Sequence, residues 1–296
     1  MGRSGTAFTW VRAARAAAAG LFFLAVLAGR YPNWPRTMAY SLFREAAKKE
    51  ILWQTRDWER VADDHFEIIY RDPDRDVAPL VLEVAKGSYA GVARMLGHFP
   101  PGRVPVIIYP DRASLGRSFG WAADESAMGV YWAGAVRVLS PQDWVQAADQ
   151  HELYETFRQS GPVVHELAHL AVDYRARGNY PRWLTEGIAQ YVERELTGFV
   201  MDAPGSRMGR WYPLEKMDRG FDALPDQGLA YRQSLALVDF LVDAHGYEVI
   251  DRMLTSLGQG LTWSQALQQE TGLRAEELMA RFTVWAEEKD RWSQAG

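Results

Sequence analysis

Hydrophobic positions along the chain recur at two different periods. Phe66, Ile68 and Tyr70 alternate with Glu67, Ile69 and Arg71, a period of two that predicts a strand ended by Asp72-Pro73. Val104 to Tyr109 (VPVIIY) is a β-branched run stopped at Pro110, and Val130 to Leu139 (VYWAGAVRVL) reads as two short strands about Ala133-Gly134. Between the first two strands the spacing becomes helical, with Val77, Leu80, Val81, Val84, Ala85, Tyr89, Val92, Met95 and Leu96 on one face. Ahead of them, the turn-rich Tyr31-Pro32-Asn33-Trp34-Pro35 leads into a polar helical stretch expected over about 37–60. From Pro162 onward strand signals vanish. Helical patterns cover about 162–175, 182–196, 229–245, 247–257, 263–270 and 274–289, punctuated by glycines. The connection from Gly198 to Gln227 is long and rich in Pro, Gly and charge. Strands with helices first and helices afterwards predict an α+β chain, a mixed β-sheet/helix half followed by a helical half.

The first thirty residues read as targeting rather than fold. Arg3, Arg12 and Arg15 precede an uncharged run from Ala16 to Gly29, and no acid occurs before Glu45. A basic stretch followed by a short apolar core is the secretory pattern, with Val26 and Ala28 small enough for cleavage after Ala28. An uncleaved anchor and a buried Ala-rich helix are the other readings of the same run. The expected location is extracytoplasmic, secreted or tethered to the membrane through this segment.

Composition then narrows the chemistry. The chain has 296 residues, 48% hydrophobic and 24% charged, an ordinary globular balance. A net charge of −5 argues against a nucleic-acid partner, which would call for a basic face. There is no cysteine, so thiolate metal sites and cysteine nucleophiles are excluded. Any metal must be held by His, Asp or Glu.

One segment supplies such ligands at a meaningful spacing. His165-Glu166-Leu167-Ala168-His169 is H-E-x-x-H, and Pro162 with Val163, Leu167, Leu170 and Tyr174 places it on a helix with a buried face. Residues i and i+4 point the same way on a helix, so both imidazoles can hold one metal. Glu166 lies about 100° further round, beside the metal and able to take a proton from water. A catalytic zinc needs a third protein ligand. After the turn Arg175 to Pro181, a second helix begins at Trp183, and Glu186, 17 positions beyond His169, is the candidate. Gly187 next to it permits close approach of another backbone.

His165 to His169, followed by Trp183-Leu184-Thr185-Glu186-Gly187-Ile188-Ala189, resembles the gluzincin branch of the zinc metallopeptidases, and the small bacterial peptidase MA-like domains in particular. The likeness extends over about residues 60 to 290. It takes in the strands at 66–70 and 104–109, the hairpin from Gly129 to Pro141, and the helix opening Ala230-Tyr231-Arg232-Gln233-Ser234. The resemblance implies a zincin-like core, one Zn2+ per chain, and hydrolysis of peptide bonds in a peptide or protein substrate. It implies His165, His169 and Glu186 as zinc ligands, Glu166 as general base, and Tyr231 as a donor to the developing oxyanion, its other reading being packing at a helix start. The organisation expected is then a signal peptide or anchor (1–30), a linker and N-terminal helix (31–62), a zincin-like catalytic half (63–197) and a helical half closing the cleft (198–296). The alternative is a catalytically silent zincin-like domain that binds metal or peptide, against which an intact Glu166 argues.

Other positions are weighed against this frame. Asp173, one turn beyond His169, is either a carboxylate that orients an imidazole or a solvated acid near a helix end. Val136 to Ser140 is the candidate edge strand for substrate, its other reading being an ordinary strand with one exposed Arg137. The Gly-x-Met-Glu-Asn signature of aminopeptidase relatives is absent, Ala127 to Tyr131 offering no Glu, and Gln190 stands where relatives commonly carry an acid. His151-Glu152-Leu153-Tyr154-Glu155 imitates the zinc motif but lacks its second His. Trp121, Trp132 and Trp211 are candidates to line the cleft.

Overall fold

A computed structural model describes residues 28–97, 99–121, 127–201 and 211–295, with side chains to Lys289. The expected signal or anchor segment lies almost wholly outside the described residues, as does His98. The first helix, α1 (Trp34–Gln54), starts three residues earlier than expected because Pro35 fits its first turn. It also ends sooner, giving way to a short strand, β1 (Glu59–Ala62), that was not anticipated. Then follow β2 (Phe66–Tyr70), α2 (Ala78–Leu96), β3 (Val104–Tyr109), α3 (Arg112–Phe119), β4 (Gly129–Trp132) and β5 (Ala135–Leu139). After a single helical turn, α4 (Gln150–Ser160), α5 (Val163–Ala176) and α6 (Arg182–Thr197) lead into the helical half. That half comprises α7 (Leu214–Gly220), α8 (Gln227–His245), α9 (Glu248–Gly258), α10 (Trp263–Thr271) and α11 (Ala275–Ala295).

The strands form one sheet in the order β1-β2-β3-β5-β4, parallel at its centre (β2–β3 and β3–β5) and antiparallel at both margins. Alternation divides each central strand between two cores. Phe66, Ile68, Val106, Ile108, Val136 and Val138 face α2 and α5. Ile69, Ile107, Tyr109, Ala135 and Leu139 face the opposite way, against Ile51 of α1 and Leu115 of α3. Each such side chain contributes roughly 1.5–3 kcal/mol on burial, and a one-residue slip of a strand would exchange both faces, so the register is firmly set.

The β4–β5 hairpin turns through Ala133 (φ 48°) and Gly134 (φ 89°), the left-handed pair whose twist suits a two-residue loop. Its outer strand is β4, not Val136–Ser140 as expected. β5 pairs with β3 on one side and β4 on the other. Arg137 is accordingly buried, its Nη1 donating to the Ser118 carbonyl and hydroxyl and its guanidinium lying 4.0 Å from the Phe119 ring. Which strand of a hairpin lies outermost depends on what the other one pairs with, and local sequence does not record that.

The chain reverses between α5 and α6 through Arg177 and Gly178, both left-handed. Asn179 holds this turn to the helical half, its Nδ2 donating to the carbonyls of Leu257 (2.7 Å) and Leu261 (2.8 Å). At Gly187, α8 crosses α6 so closely that a Cβ would lie 2.2 Å from the Ser234 carbonyl oxygen. The glycine is what lets the helical half reach the ligand-bearing helix.

Candidate metal centre

Helix α5 brings His165 and His169 to one side, as their spacing requires, with ring centroids 4.7 Å apart. The antiparallel α6 carries Glu186 to them. Its Oε2 lies 3.5 Å from Nε2 of His165 and 3.5 Å from Nε2 of His169, and one ligand atom from each residue falls within 4.8 Å of the others. The two far ring nitrogens are taken: Nδ1 of His165 lies 3.1 Å from Glu193 Oε2, and Nδ1 of His169 lies 2.7 Å from Thr185 Oγ1. Both imidazoles are thereby oriented with Nε2 inward. Arg182, one turn before Glu186, binds its other oxygen at 3.0 Å.

The site is largely buried and strongly polarised. Glu186 is 2% exposed, Glu193 5% and Glu166 6%. Burial would raise the Glu186 carboxyl, yet the two imidazoles and Arg182 hold it well below the ordinary carboxylate range. Burial would likewise lower His165, but the carboxylates of Glu186 and Glu193 beside it outweigh that and drive the imidazole well above its usual value. Each shift favours positive charge between these groups. Glu186 Oε2 is also a buried atom that accepts no hydrogen bond. An ionised oxygen left so in a protein interior is costly unless a cation answers it. Two imidazole nitrogens and one carboxylate oxygen, with no sulfur, are a donor set suited to a zinc that keeps an open position. The residues fit the metal.

Glu166 stands beside this group. Its Oε2 accepts from the backbone N–H of Tyr131 at 2.5 Å, so the motif helix is pinned to the free edge of β4. Gly129 makes the approach possible, because a Cβ there would lie 2.5 Å from Pro162 Cβ and 2.9 Å from Glu166 Cγ. Burial raises the Glu166 carboxyl above its ordinary value, with the nearby imidazoles and the Tyr131 amide opposing.

Tyr231, in the first turns of α8, packs edge-on against Phe221 and lies within electrostatic reach of Arg182 and Glu186. Burial, then the charge of Glu186, push its phenol up to about 12, against the pull of Arg182, so the hydroxyl keeps its proton at neutral pH. Gln190 ties the same helix to α6 through Nε2 to the Tyr231 carbonyl, 2.9 Å.

Asp173 meets neither expectation. It is fully buried and touches no imidazole. Its carboxylate accepts from Tyr131 Oη (2.7 Å), Tyr180 Oη (3.0 Å) and Arg44 Nη1 (3.1 Å), joining β4, the α5–α6 turn and α1 behind the site. Trp121 stacks on Phe119 and Trp211 packs against Phe282, so both serve packing, while Trp132 sits on the hairpin tip against Phe43. His151 lies in α4, capped by Asp149, and among the described residues His165, His169 and Glu186 form the one group able to hold a metal. The sequence reading missed Glu193 and Thr185. Glu193 follows Glu186 by seven positions, two helical turns on the same face, a spacing that was there to be used.

A His-His-Glu centre flanked by a carboxylate, set between a mixed sheet and a helical half, defines a zincin-like domain of the gluzincin kind. Residues 150–288 match the family model of the peptidase MA superfamily, a match that supports a gluzincin-like peptidase MA domain in this region. Among solved structures the chain is similar to a mutant M1 zinc metallopeptidase from Deinococcus radiodurans, with 17% identity and a TM-score of 0.41. That similarity covers 76% of this chain and 52% of the other, so the chain spans about half the length of that protein. No curated protein matches the chain.

Proposed function

We propose that the protein is a zinc-dependent metallopeptidase that hydrolyses peptide bonds, exported or tethered to the membrane by its N-terminal apolar segment. His165, His169 and Glu186 hold the metal. When bound, zinc lowers the pKa of water and polarises a carbonyl oxygen. Glu166, one oxygen fixed by the Tyr131 amide, uses Oε1 to accept a proton from the attacking water as oxygen bonds to the scissile carbonyl carbon. The same oxygen then delivers that proton to the leaving amine nitrogen as the C–N bond breaks. Tyr231, with its hydroxyl proton retained and its helix fixed by Gln190, donates to the carbonyl oxygen as charge develops there. Glu193 and Thr185 hold the imidazoles in line.

The observation that carries this reading is the buried Glu186 Oε2, which accepts no hydrogen bond and faces two inward imidazole nitrogens at 3.5 Å, with Glu166 alongside. The experiment is metal analysis of wild type and Glu166→Gln beside a broad peptide-library digest. About one zinc per chain is expected in both, with hydrolysis in the wild type alone. Equal cleavage by Glu166→Gln removes the base, and a zinc-replete wild type that cleaves nothing leaves the silent-domain alternative. N-terminal sequencing of the protein recovered from cell membranes and medium tests export.

A further inference from the structure

Helix α1 is turned inside out with respect to water. Thr37 and Arg44 are 0% and 6% exposed, while Leu42 is 74% exposed, Trp53 64% and Trp34 53%, with Met38 and Phe43 about half open. At 100° per residue Trp34, Met38, Leu42 and Trp53 fall within an arc of about 100°. Exposed Ala39 and Ala46 continue the arc toward Phe43. The charges within it are Lys49, Glu45, the latter paired with Lys48 at 2.8 Å, and, on the side toward Phe43, Glu50. The inner face is polar at Thr37 and Arg44, where it serves Asp173, whose carboxylate and carbonyl both receive Arg44 Nη1, and only near the end of the helix does Ile51 enter the second core. The outer face has no such duty and is apolar nonetheless. Phe43 meets the exposed Trp132 edge-on, ring centroids 5.9 Å apart, so the patch runs on to the tip of the β4–β5 hairpin. A contiguous exposed patch of this kind marks an interaction surface.

Two further facts select the partner. The apolar run Ala16–Gly29 ends only four residues before Trp34. Charge is also divided along the chain: residues 30–56, which follow the apolar run, hold six Lys and Arg against two Glu, a net +4, while residues 57–296 hold 24 basic and 36 acidic residues, a net −12. A helix with Trp, Leu and Phe on its outer face, in a basic segment that continues an apolar stretch, matches the chemistry of an anionic membrane surface.

We propose that the outer face of α1, together with Trp132, docks on an anionic lipid bilayer and holds the cleft beside it. The proposal rests on the membrane-tethered reading and adds the orientation of the domain. Because Trp132 closes the same strand whose Tyr131 amide binds Glu166, the polypeptides within reach are those lying at the membrane surface.

The absence of cysteine makes the test direct. Met38→Cys, Leu42→Cys and, on exposed Glu83 of α2, Glu83→Cys are made singly in the full chain and labelled with an environment-sensitive fluorophore. Each is mixed with phosphatidylcholine–phosphatidylglycerol vesicles with and without brominated lipid. The labels at positions 38 and 42 should shift to shorter wavelength and be quenched by brominated lipid, that at 83 should do neither, and omission of phosphatidylglycerol should weaken the response. Leu42→Asp, read from the label at position 38, should lower the docked-to-free ratio roughly tenfold. A chain that sediments with vesicles while the labels at 38 and 42 remain in water overturns the docking and leaves the tether. A chain that does not sediment overturns both, without bearing on zinc or hydrolysis. Shielding of these labels without vesicles also overturns the proposal, assigning the face to a second copy if it grows with protein concentration and to residues 1–27 if it does not.

Discussion

Glu193 touches no metal-facing atom, yet on the proposed reading zinc affinity should depend on it. Its Oε2 lies 3.1 Å from Nδ1 of His165, it is 5% exposed, and this is the contact that turns the His165 ring so that Nε2 faces Glu186. Glu193→Ala removes both the hydrogen bond and the negative charge that raises the basicity of the imidazole. Loss of such an orienting partner typically weakens metal binding 10–100-fold, or about 1.4–2.8 kcal/mol. Glu193→Gln keeps an oxygen able to accept from Nδ1–H and gives up the charge, so its loss should be the smaller of the two. Thr185→Val acts on the other ring, removing the 2.7 Å contact to His169. Because the partners serve different imidazoles, the losses should approximately add in the double variant. Competition with a chromophoric chelator at fixed pH gives the affinities, and circular dichroism of each metal-free protein confirms the fold. Wild-type affinity in Glu193→Ala, with the fold intact, would refute the claim that this carboxylate sets the ring.

Tyr231→Phe should slow turnover by about 10²-fold, the usual effect of losing one oxyanion donor, with zinc content unchanged; an unaltered kcat returns Tyr231 to packing. Gly187→Ala places a methyl 2.2 Å from the Ser234 carbonyl and should cost about 1–3 kcal/mol by forcing α6 and α8 apart, seen as a lower thermal midpoint; a wild-type midpoint would show that the contact is not tight. His165→Ala and His169→Ala should each lose most of the zinc measured by metal analysis, and retention by both would remove the site.

The parts legible in the sequence are those in which neighbours along the chain are also neighbours in space. His165 and His169 share a side of α5 by periodicity alone, and Gly187 announced the close crossing that α8 makes. Glu186 could be placed because a short turn leaves the next helix little choice but to return. Strand β2 was readable from alternation, β3 from its β-branched run, the hairpin from the Ala133-Gly134 turn, and the helical half from its spacing and glycine stops. β1 was missed because it is four residues long and half-exposed, so its alternation is weak. α3 and α4 were missed because each buries only one or two residues, their starts being set by the caps Asp111 and Asp149. Asp173 was misread because its three partners come from α1, β4 and the α5–α6 turn, between seven and 129 residues away. The choice of β4 over β5 as the outer strand was hidden for the same reason.

The Tyr131 amide can serve one acceptor at a time, and in this fold it serves Glu166. Glu166 and the sheet margin are thus a single mechanical unit. A compound that captured that N–H with its own carbonyl would leave the glutamate free to swing, silencing hydrolysis from a position outside the His-His-Glu triad. Inhibition of this kind would survive a change of metal, which sets it apart from the action of a chelator.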